Sequence, residues 1–383
     1  MSFIPFFLLM LAAVVFSSVF TRFQLPWVLA LIVAGVVVGP YGFDIVEQTQ
    51  TLDFFAEMGL IFLMFLAGLQ TNLNTFKQFE RDAAIVTVFN GIIPFLVGVG
   101  IGLVFNFTLL ASVLLGVIFM SSSIAVVIPS LERFGLMDRK IGRTIISSTM
   151  INDVASLLIL SALLQVLYPV SNLPLWSFYI LLVTLLVGLR YALPRIRALV
   201  PRFRDERDLF ESEVRLIFAM LFGTVVLFAA LGLHPIIAGF FSGLVLSDSL
   251  TSDILRQKIH TIGYGVFIPI FFITIGITTD FEAVLASTET VWLVIIITIG
   301  SLLAKWGSGY LGATLAGFSR IDAHFIGFAT VPQLSTTLAV VVTATALELV
   351  PVALLSAMVV LSMVSTVIAP FAMRWLAGLR GMI

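Results

Sequence analysis

Residues 142–166, GRTIISSTMINDVASLLILSALLQV, form an apolar stretch of transmembrane length with one carboxylate, Asp153, close to its middle. A bilayer core about 30 Å thick is crossed by about 20 mostly apolar residues in a helix, so this stretch is expected to span a membrane. A charged side chain at that depth costs about 2.5–3.5 kcal/mol on insertion scales, and such residues generally have a function. The stretch therefore predicts a membrane helix that carries a functional acid.

The whole chain, like this stretch, is rich in apolar residues and poor in charged ones. Of its 383 residues, 60% are hydrophobic and 11% are charged, whereas soluble domains are usually about 45–50% apolar and about 25% charged. So few charged residues cannot cover so much apolar surface, which predicts an all-α polytopic membrane protein. The absence of cysteine excludes disulfides and thiolate metal sites. A net charge of −1 excludes a nucleic-acid-binding platform.

Thirteen apolar stretches are predicted to be transmembrane helices, and the basic residues support this number. The spans are 3–20, 26–38, 52–69, 83–105, 108–128, 142–166, 174–193, 214–232, 234–247, 260–278, 290–313, 323–346 and 350–376. All but one of the 20 Lys and Arg residues lie on the side reached after odd-numbered spans, and Lys305 is the exception. The positive-inside rule then predicts an N-terminus outside and a C-terminus in the cytoplasm.

The sequence also contains an internal repeat. Span three ends with GLQTNL at 68–73 and span ten with GITTDF at 276–281. Spans two and nine each run from a proline to a glycine, at 26–35 and 235–243, and then continue with apolar residues. These matches pair spans one to six with spans eight to thirteen. Because the shift of seven is odd, the second copy enters from the opposite side, as in transporters with inverted repeats. The alternative is two unrelated helix bundles.

Spans five and twelve are predicted to be broken near the membrane midplane. Span five carries Ser121, Ser122 and Ser123 and ends before Pro129. Span twelve carries a second polar cluster, which contains Thr330, Pro332, Gln333, Ser335 and Thr336. Proline removes a backbone donor and hydroxyl groups offer local partners, so both helices can unwind there and expose carbonyls that suit a cation. The alternative is that these hydroxyls only cement helix packing.

Three ionisable side chains are predicted to lie in the apolar interior: Glu57, Asp153 and Lys305. A carboxylate removed from bulk water holds a proton more readily, and when ionised it is a hard ligand for a monovalent cation. Competition between proton and cation at Asp153 is the chemistry that an antiporter needs. The alternative is a salt-bridged structural acid. Lys305 needs an acceptor, which Asp153 or the carbonyl ends of the broken helices could provide. Glu57 is interpreted as a polar anchor or as part of the aqueous entry.

The stretches 121–127 (SSSIAVV), 131–136 (LERFGL) and 142–153 resemble the monovalent cation:proton antiporter superfamily, most closely its bacterial branch of Kef-type and Nap-type exchangers. The resemblance implies a sodium/hydrogen exchanger fold in which a transport core slides against a panel that also forms a homodimer. By this resemblance Asp153 binds the ion and the proton, together with Asn152, Ser122 and Ser123. The residues expected to support the core are Lys305, Gln333, Ser335 and Thr336.

The same resemblance divides the chain into four segments. Residues 1–75 hold panel and dimerisation helices one to three, and 83–166 hold core helices four to six. Residues 174–278 hold linker helix seven and panel helices eight to ten, and 290–376 hold core helices eleven to thirteen. The branch implies a multi-pass protein of the bacterial inner membrane.

Two departures from the family pattern concern charge. Members proposed to move unequal charge often carry two adjacent acids, but here Asn152 stands in the first position, which favours electroneutral exchange. An Arg and an acid often follow the proline of span twelve, and this chain has Gln333 and Ser335 instead.

The sequence therefore predicts a secondary-active antiporter that exchanges Na⁺ or K⁺ for H⁺, without a cofactor. It is not expected to be an enzyme, because no nucleophile, base and orienting group recur at a plausible spacing. One alternative is an uncoupled cation channel or leak pathway. Another is an organic-anion symporter of similar architecture, for which Lys305 is the sole candidate to hold the anion.

Overall fold

The structure is a computed structural model. It describes residues 3–23, 26–70, 80–167, 175–199, 211–230, 235–247 and 252–379. These residues form helices and connecting turns without a strand, which confirms the predicted all-α class. Residues 71–73, which belong to one copy of the repeat motif, lie outside the described residues.

The helices are named here in chain order. Those of the first half are α1 (Phe3–Arg22), α2 (Trp27–Val38), α3 (Gln50–Gln70), α4 (Arg81–Val104), α5 (Leu109–Met120), α6 (Ile124–Arg133), α7 (Lys140–Leu167) and α8 (Leu175–Leu199). Those of the second half are α9 (Ser212–Ala230), α10 (Pro235–Leu246), α11 (Asp253–Ile262), α12 (Ile268–Thr278), α13 (Phe281–Ala286), α14 (Thr288–Leu315), α15 (Arg320–Ala329), α16 (Ser335–Ala346) and α17 (Val352–Leu379). A π-helical turn, Gly263–Phe267, joins α11 to α12.

Eight helical stretches of the described residues are long and apolar enough to cross a membrane, which agrees with a multi-pass membrane protein. Others are apolar but short: α2, α5, α10 and α16 have 12 residues each. At 1.5 Å per residue such a helix is about 18 Å long, well short of a bilayer core of about 30 Å. The thirteen predicted spans therefore remain a prediction, since short helices cannot be counted by length alone.

The chain divides into two compact units. The first consists of Met1–Gln48, Gln78–Leu160 and Ile273–Ile383, and the second of Thr49–Lys77 and Ser161–Phe272. In the first unit α14 packs along α4 and also contacts α15 and α17. This unit contains Asp153 and Lys305, which are the buried charged side chains of the described residues.

In the second unit α3 and α10 approach so closely that side chains would not fit between them. A Cβ atom added to Gly68 would lie 2.0 Å from the Phe240 carbonyl oxygen. A Cβ atom on Gly243 would likewise lie 2.0 Å from the Phe65 oxygen. Small residues at such crossings let helices pack by van der Waals contact, which is the main attraction between helices in a membrane.

We expect the substitution Gly68→Ala to destabilise the protein, because its methyl group must push α3 and α10 apart. Overpacking of this kind costs typically about 1–3 kcal/mol. The measurement is the melting temperature of the purified protein in detergent. The matched control is Gly223→Ala on α9 of the same unit, where an added Cβ meets nothing within 4 Å. Alanine favours helix more than glycine does, so the control should melt no lower than wild type. Equal melting temperatures for the two variants would contradict the close approach.

Candidate functional site

Two helices of the first unit are interrupted, as predicted. The chain is extended at residues 121–123, between the end of α5 and the start of α6. It also leaves helical geometry between Ala329, the last residue of α15, and Ser335, the first residue of α16. We call these segments the first break (121–123) and the second break (330–334).

The position of the first break corrects one detail of the prediction. The sequence suggested that span five ends before Pro129, but α6 continues through this proline to Arg133. Proline takes away one backbone donor, and the Ser130 hydroxyl donates to the Val126 carbonyl at 3.3 Å nearby. One missing hydrogen bond therefore does not end the helix, and the serines rather than Pro129 mark the interruption.

The two breaks are hydrogen-bonded to each other. The Ser123 backbone N–H donates to the Pro332 carbonyl at 2.6 Å, and the Ser122 hydroxyl donates to the Thr330 carbonyl at 2.8 Å. The Ser121 and Thr337 hydroxyl oxygens are 2.9 Å apart. Backbone groups that leave a helix in a membrane need partners inside the protein. Each break supplies such partners to the other, so the two segments form one structural unit.

Asp153 lies in the middle of α7 and faces the first break. Its Oδ1 atom accepts a hydrogen bond from the Ser122 backbone N–H at 3.1 Å. Asp153 retains 8% of its accessible surface, whereas Lys305 retains none. The carboxylate is thus held by a backbone donor that the interruption of the helix has released, and it keeps a small exposed area.

Asn152 and Ser123 are also buried, and each has a polar atom without a hydrogen-bond partner among the described residues. These atoms are Asn152 Nδ2 and Ser123 Oγ. Asn152 Oδ1 packs against α4, since a Cβ atom added to Gly91 would lie 2.9 Å from it. Buried polar atoms are nearly always paired. The free Ser123 oxygen, next in sequence to Ser122, is therefore available to a bound ion.

Lys305 lies on α14 and is completely buried. Its Nζ atom donates to the Met120 carbonyl at 2.8 Å and to Asn90 Oδ1 at 2.8 Å. Met120 is the last residue of α5, and helix C-termini carry unpaired carbonyls and partial negative charge. Of the two acceptors that the sequence left open, Lys305 therefore bonds to the carbonyl end of a broken helix. No ion pair of 4.0 Å or less joins it to Asp153 in the described part of the chain.

Asn90 on α4 is a central residue of this cluster that sequence reasoning missed. Besides accepting from Lys305, its Nδ2 atom lies 2.9–3.0 Å from three acceptors, which are the Lys305 carbonyl, Ser308 Oγ and Thr330 Oγ1. Asn90 thereby joins α4, α14 and the second break. The sequence feature that could have identified it is an asparagine inside an apolar span, the feature that Asn152 also has.

Gln333 supports the crossing, whereas Ser335 and Thr336 do not reach Asp153. The Gln333 amide Nε2 donates to the Phe119 carbonyl at 3.3 Å, and its backbone N–H donates to Ser365 Oγ at 3.1 Å. Ser335 and Thr336 are buried in the first turn of α16. Neither hydrogen-bonds to Asp153 in the structure as described. Glu57 is exposed on α3 of the second unit, and its role as a polar anchor or as part of an aqueous entry stays a prediction.

The charges available for metal binding are few. Among the described residues no group of three or more His, Cys, Asp or Glu side chains could hold a metal ion. A cation near Asp153 would therefore be bound by one carboxylate together with neutral oxygens. Such a ligand set matches a weakly held monovalent ion better than a tightly held divalent one.

Comparison with known proteins gives consistent results. A family model described as "Sodium/hydrogen exchanger, transmembrane" matches residues 7–378. The chain is 29% identical over 374 residues to "Probable Na(+)/H(+) antiporter 3" of Methanocaldococcus jannaschii, covering 96% of this chain and 95% of that protein. It is 27% identical over 378 residues to the "Na(+)/H(+) antiporter" of Enterococcus hirae, covering 96% of each. The fold is similar to that of the sodium proton antiporter MjNhaP1 of M. jannaschii, with a TM-score of 0.69, 16% identity and coverage of 98% and 95%.

We expect Asn90→Leu to destabilise the protein, because the buried Lys305 ammonium then loses one of its two acceptors. Hydrogen bonds to charged groups contribute about 1.5–3 kcal/mol. A double-mutant cycle of Asn90→Leu and Lys305→Met, read by thermal melting in detergent, measures the coupling. The double variant should lose less stability than the two single losses added together. The control is Thr87→Val on the same helix, where the hydroxyl bonds only to Ala83 of its own turn. Additive losses in the cycle would show that the contact contributes nothing.

Proposed function

This chain belongs to the sodium/hydrogen exchanger family of secondary transporters, and we propose that it exchanges a monovalent cation, Na⁺ or K⁺, for H⁺ across the membrane. Membership confirms the family resemblance that the sequence suggested, and it agrees with the prediction that the chain is not an enzyme. The printed names of the two relatives describe Na⁺/H⁺ antiport, which supports this exchange. Placement in the branch of Kef-type and Nap-type exchangers stays a prediction.

One observation carries the proposal: a single carboxylate, Asp153, lies buried at the centre of a membrane-spanning helix and beside a broken helix. In our proposal the ionised carboxylate binds the cation, and the protonated carboxyl group cannot. Proton and cation therefore compete for one group, so the protein carries either one or the other. Alternation between two access states of the site then couples their gradients.

We propose that neutral oxygens complete the cation site. Ser123 Oγ is the best candidate, since it is buried without a partner and belongs to the same break as Ser122. Asn152 lies beside Asp153, and rotation of its amide group could present either oxygen or nitrogen. Residues Ser335 and Thr336, which the sequence suggested as support for the core, act in this proposal through the start of α16 rather than through contact with Asp153.

We propose that exchange is electroneutral, one cation for one proton. Asp153 is the only buried acid among the described residues. Lys305 donates to a carbonyl oxygen and an amide oxygen, and both bonds favour its charged form. In this proposal Lys305 stays charged throughout the cycle and neutralises the carbonyl end of α5. Because Lys305 is buried and both of these bonds occupy its ammonium group, an organic-anion symporter is disfavoured, since Lys305 would have to bind the anion.

We propose thirteen membrane spans that contain two inverted six-helix repeats. The repeat makes Gly35 equivalent to Gly243 and Gly68 equivalent to Gly276. In the first unit a Cβ atom on Gly276 would lie 2.1 Å from the Ile32 oxygen, three residues before Gly35. In the second unit the Cβ on Gly68, the repeat equivalent of Gly276, would lie 2.0 Å from the Phe240 oxygen, three residues before Gly243. The same contact thus occurs at both pairs, and with the two broken helices it supports the repeat.

The larger arrangement is proposed from the family resemblance. Residues 83–166 and 290–376 form the moving core, and 1–75 and 174–278 form the panel and its linker, with the panel in contact with a second copy of the chain. The basic residues support a cytoplasmic C-terminus and an external N-terminus.

The variant Asp153→Asn should abolish cation-dependent proton transport, since an amide can neither ionise nor release a proton. The measurement is the dissipation of a pH gradient in proteoliposomes by Na⁺, K⁺ and Li⁺, each added in turn. Asp138→Asn, in an exposed loop of the same unit, is the control and should transport normally. Melting curves of both variants check that they are folded. Normal exchange by Asp153→Asn would reject the site, and cation flux without proton movement in wild type would favour the channel.

Electroneutral exchange predicts that the rate is independent of membrane potential. A potential of 100 mV contributes about 2.3 kcal/mol per net charge moved, or about a fiftyfold bias. We expect equal rates of Na⁺-driven proton movement in proteoliposomes clamped at zero and at about 100 mV of either sign. A several-fold dependence on potential would show that unequal charge is moved.

A further inference from the structure

A cavity of about 220 Å³ opens in the first unit between the end of α6 and the last turns of α17. It has two basic side chains and two aromatic ones. Its lining includes Pro129, Arg133, Phe134, Pro370, Phe371 and Arg374. Two guanidinium groups that approach one cavity from different helices form a potential site for an anion.

Neither arginine has an ion-pair partner in the part of the chain that the structure describes. No acidic side chain of the described residues lies within 4.0 Å of Arg133 or Arg374. Elsewhere in the same unit a base does have such a partner, since Arg143 Nη2 lies 3.2 Å from Glu80 Oε1. Both cavity arginines are exposed. Their charge is therefore available to an anion from outside the protein.

The surroundings of the cavity indicate where that anion comes from. Phe371 is 57% exposed and Trp375, the residue after Arg374, is 65% exposed. Aromatic side chains, Trp and Tyr above all, are enriched where membrane helices pass the lipid headgroups. Apolar rings next to guanidinium groups at this level offer one surface to acyl chains and another to a phosphate.

The size and chemistry of the cavity restrict the ligand. Sites for whole small molecules occupy about 300–1,000 Å³, so a cavity of about 220 Å³ suits a headgroup phosphate rather than a complete nucleotide. Guanidinium groups bind phosphate oxygens through paired hydrogen bonds. Basic pockets between membrane helices on the cytoplasmic side are known to bind anionic lipid headgroups.

We propose that Arg133 and Arg374 bind the phosphate of an anionic phospholipid, whose acyl chains lie along Phe371 and Trp375. This site is separate from the cation site at Asp153, and its occupancy does not depend on the proposed antiport. The lipid links α6 to α17. At its other end α6 begins beside the first break, and α17 carries Ser365, which accepts a hydrogen bond from the second break.

The test is lipid binding to the purified full-length chain in detergent, followed by native mass spectrometry and by thermal shift. Phosphatidylglycerol should bind and raise the melting temperature of the wild type. Each arginine near a membrane surface is expected to change affinity about fivefold, so Arg133→Gln combined with Arg374→Gln should weaken binding about thirtyfold. Arg374→Gln alone, an exposed substitution that folding tolerates well, should weaken it about fivefold.

A matched control removes two charges that do not line the cavity, Arg139→Gln with Arg320→Gln, and should bind phosphatidylglycerol as wild type does. Replacement of both cavity residues by lysine keeps the charge but loses the paired hydrogen bonds, so an intermediate affinity is expected. Equal loss in the control and cavity variants would overturn the proposal in favour of diffuse charge. Equal binding of phosphatidylcholine would overturn it in favour of unspecific lipid contact, and equal stabilisation by inorganic phosphate would assign the cavity to free anions.

Discussion

The structure of the site depends on the bond between the Lys305 ammonium and the Met120 carbonyl. A helix that stops inside a membrane leaves carbonyls without partners, and no water is present there to satisfy them. Lys305 provides both a donor and a positive charge at the end of α5. The lysine is itself buried, so it needs a further acceptor, which Asn90 supplies. The broken helix and the buried lysine are thus each tolerated because of the other.

The same constraint produces the carboxylate site. When α5 ends at Met120, the Ser122 N–H no longer has a helical acceptor, and Asp153 accepts its hydrogen bond instead. The second break provides acceptors for the other donors of the first break: the Pro332 carbonyl accepts from the Ser123 N–H, and the Thr330 carbonyl accepts from the Ser122 hydroxyl. The hydrogen bond that holds Asp153 therefore comes from the backbone, and among the described residues no ion pair of 4.0 Å or less holds it. Such an acid can lose or gain a proton without breaking an ion pair, which suits the competition between proton and cation that we propose for it.

Sequence reasoning identified Asp153, Lys305 and both breaks, because charges and serine or proline clusters are rare in apolar spans and therefore stand out. It could not choose the partner of Lys305, since the carbonyl that binds it lies 185 residues away in sequence. It missed Asn90 for a related reason. A neutral amide in a membrane helix is not unusual, and its role depends on three elements that only the tertiary fold brings together. The prediction that span five ends before Pro129 was wrong, because one proline removes only one helical hydrogen bond. The helix is interrupted at the serines instead, where backbone groups hydrogen-bond to other parts of the protein.

The short helix α6 connects the proposed ion site with the proposed lipid site. Helix α6 has ten residues, so at 1.5 Å per residue it extends about 15 Å from the first break to Arg133. It is preceded by Ser123, which is bonded to the second break, and its carboxyl end reaches the cavity that Arg133 shares with Arg374. The lipid that we propose at this cavity would thus contact the helix that starts directly after the first break, which holds the backbone donor of Asp153. The interruption that releases the backbone donor of Asp153 therefore also sets where the helix to Arg133 begins, so one feature of the backbone fixes the distance between the proposed ion site and the proposed lipid site.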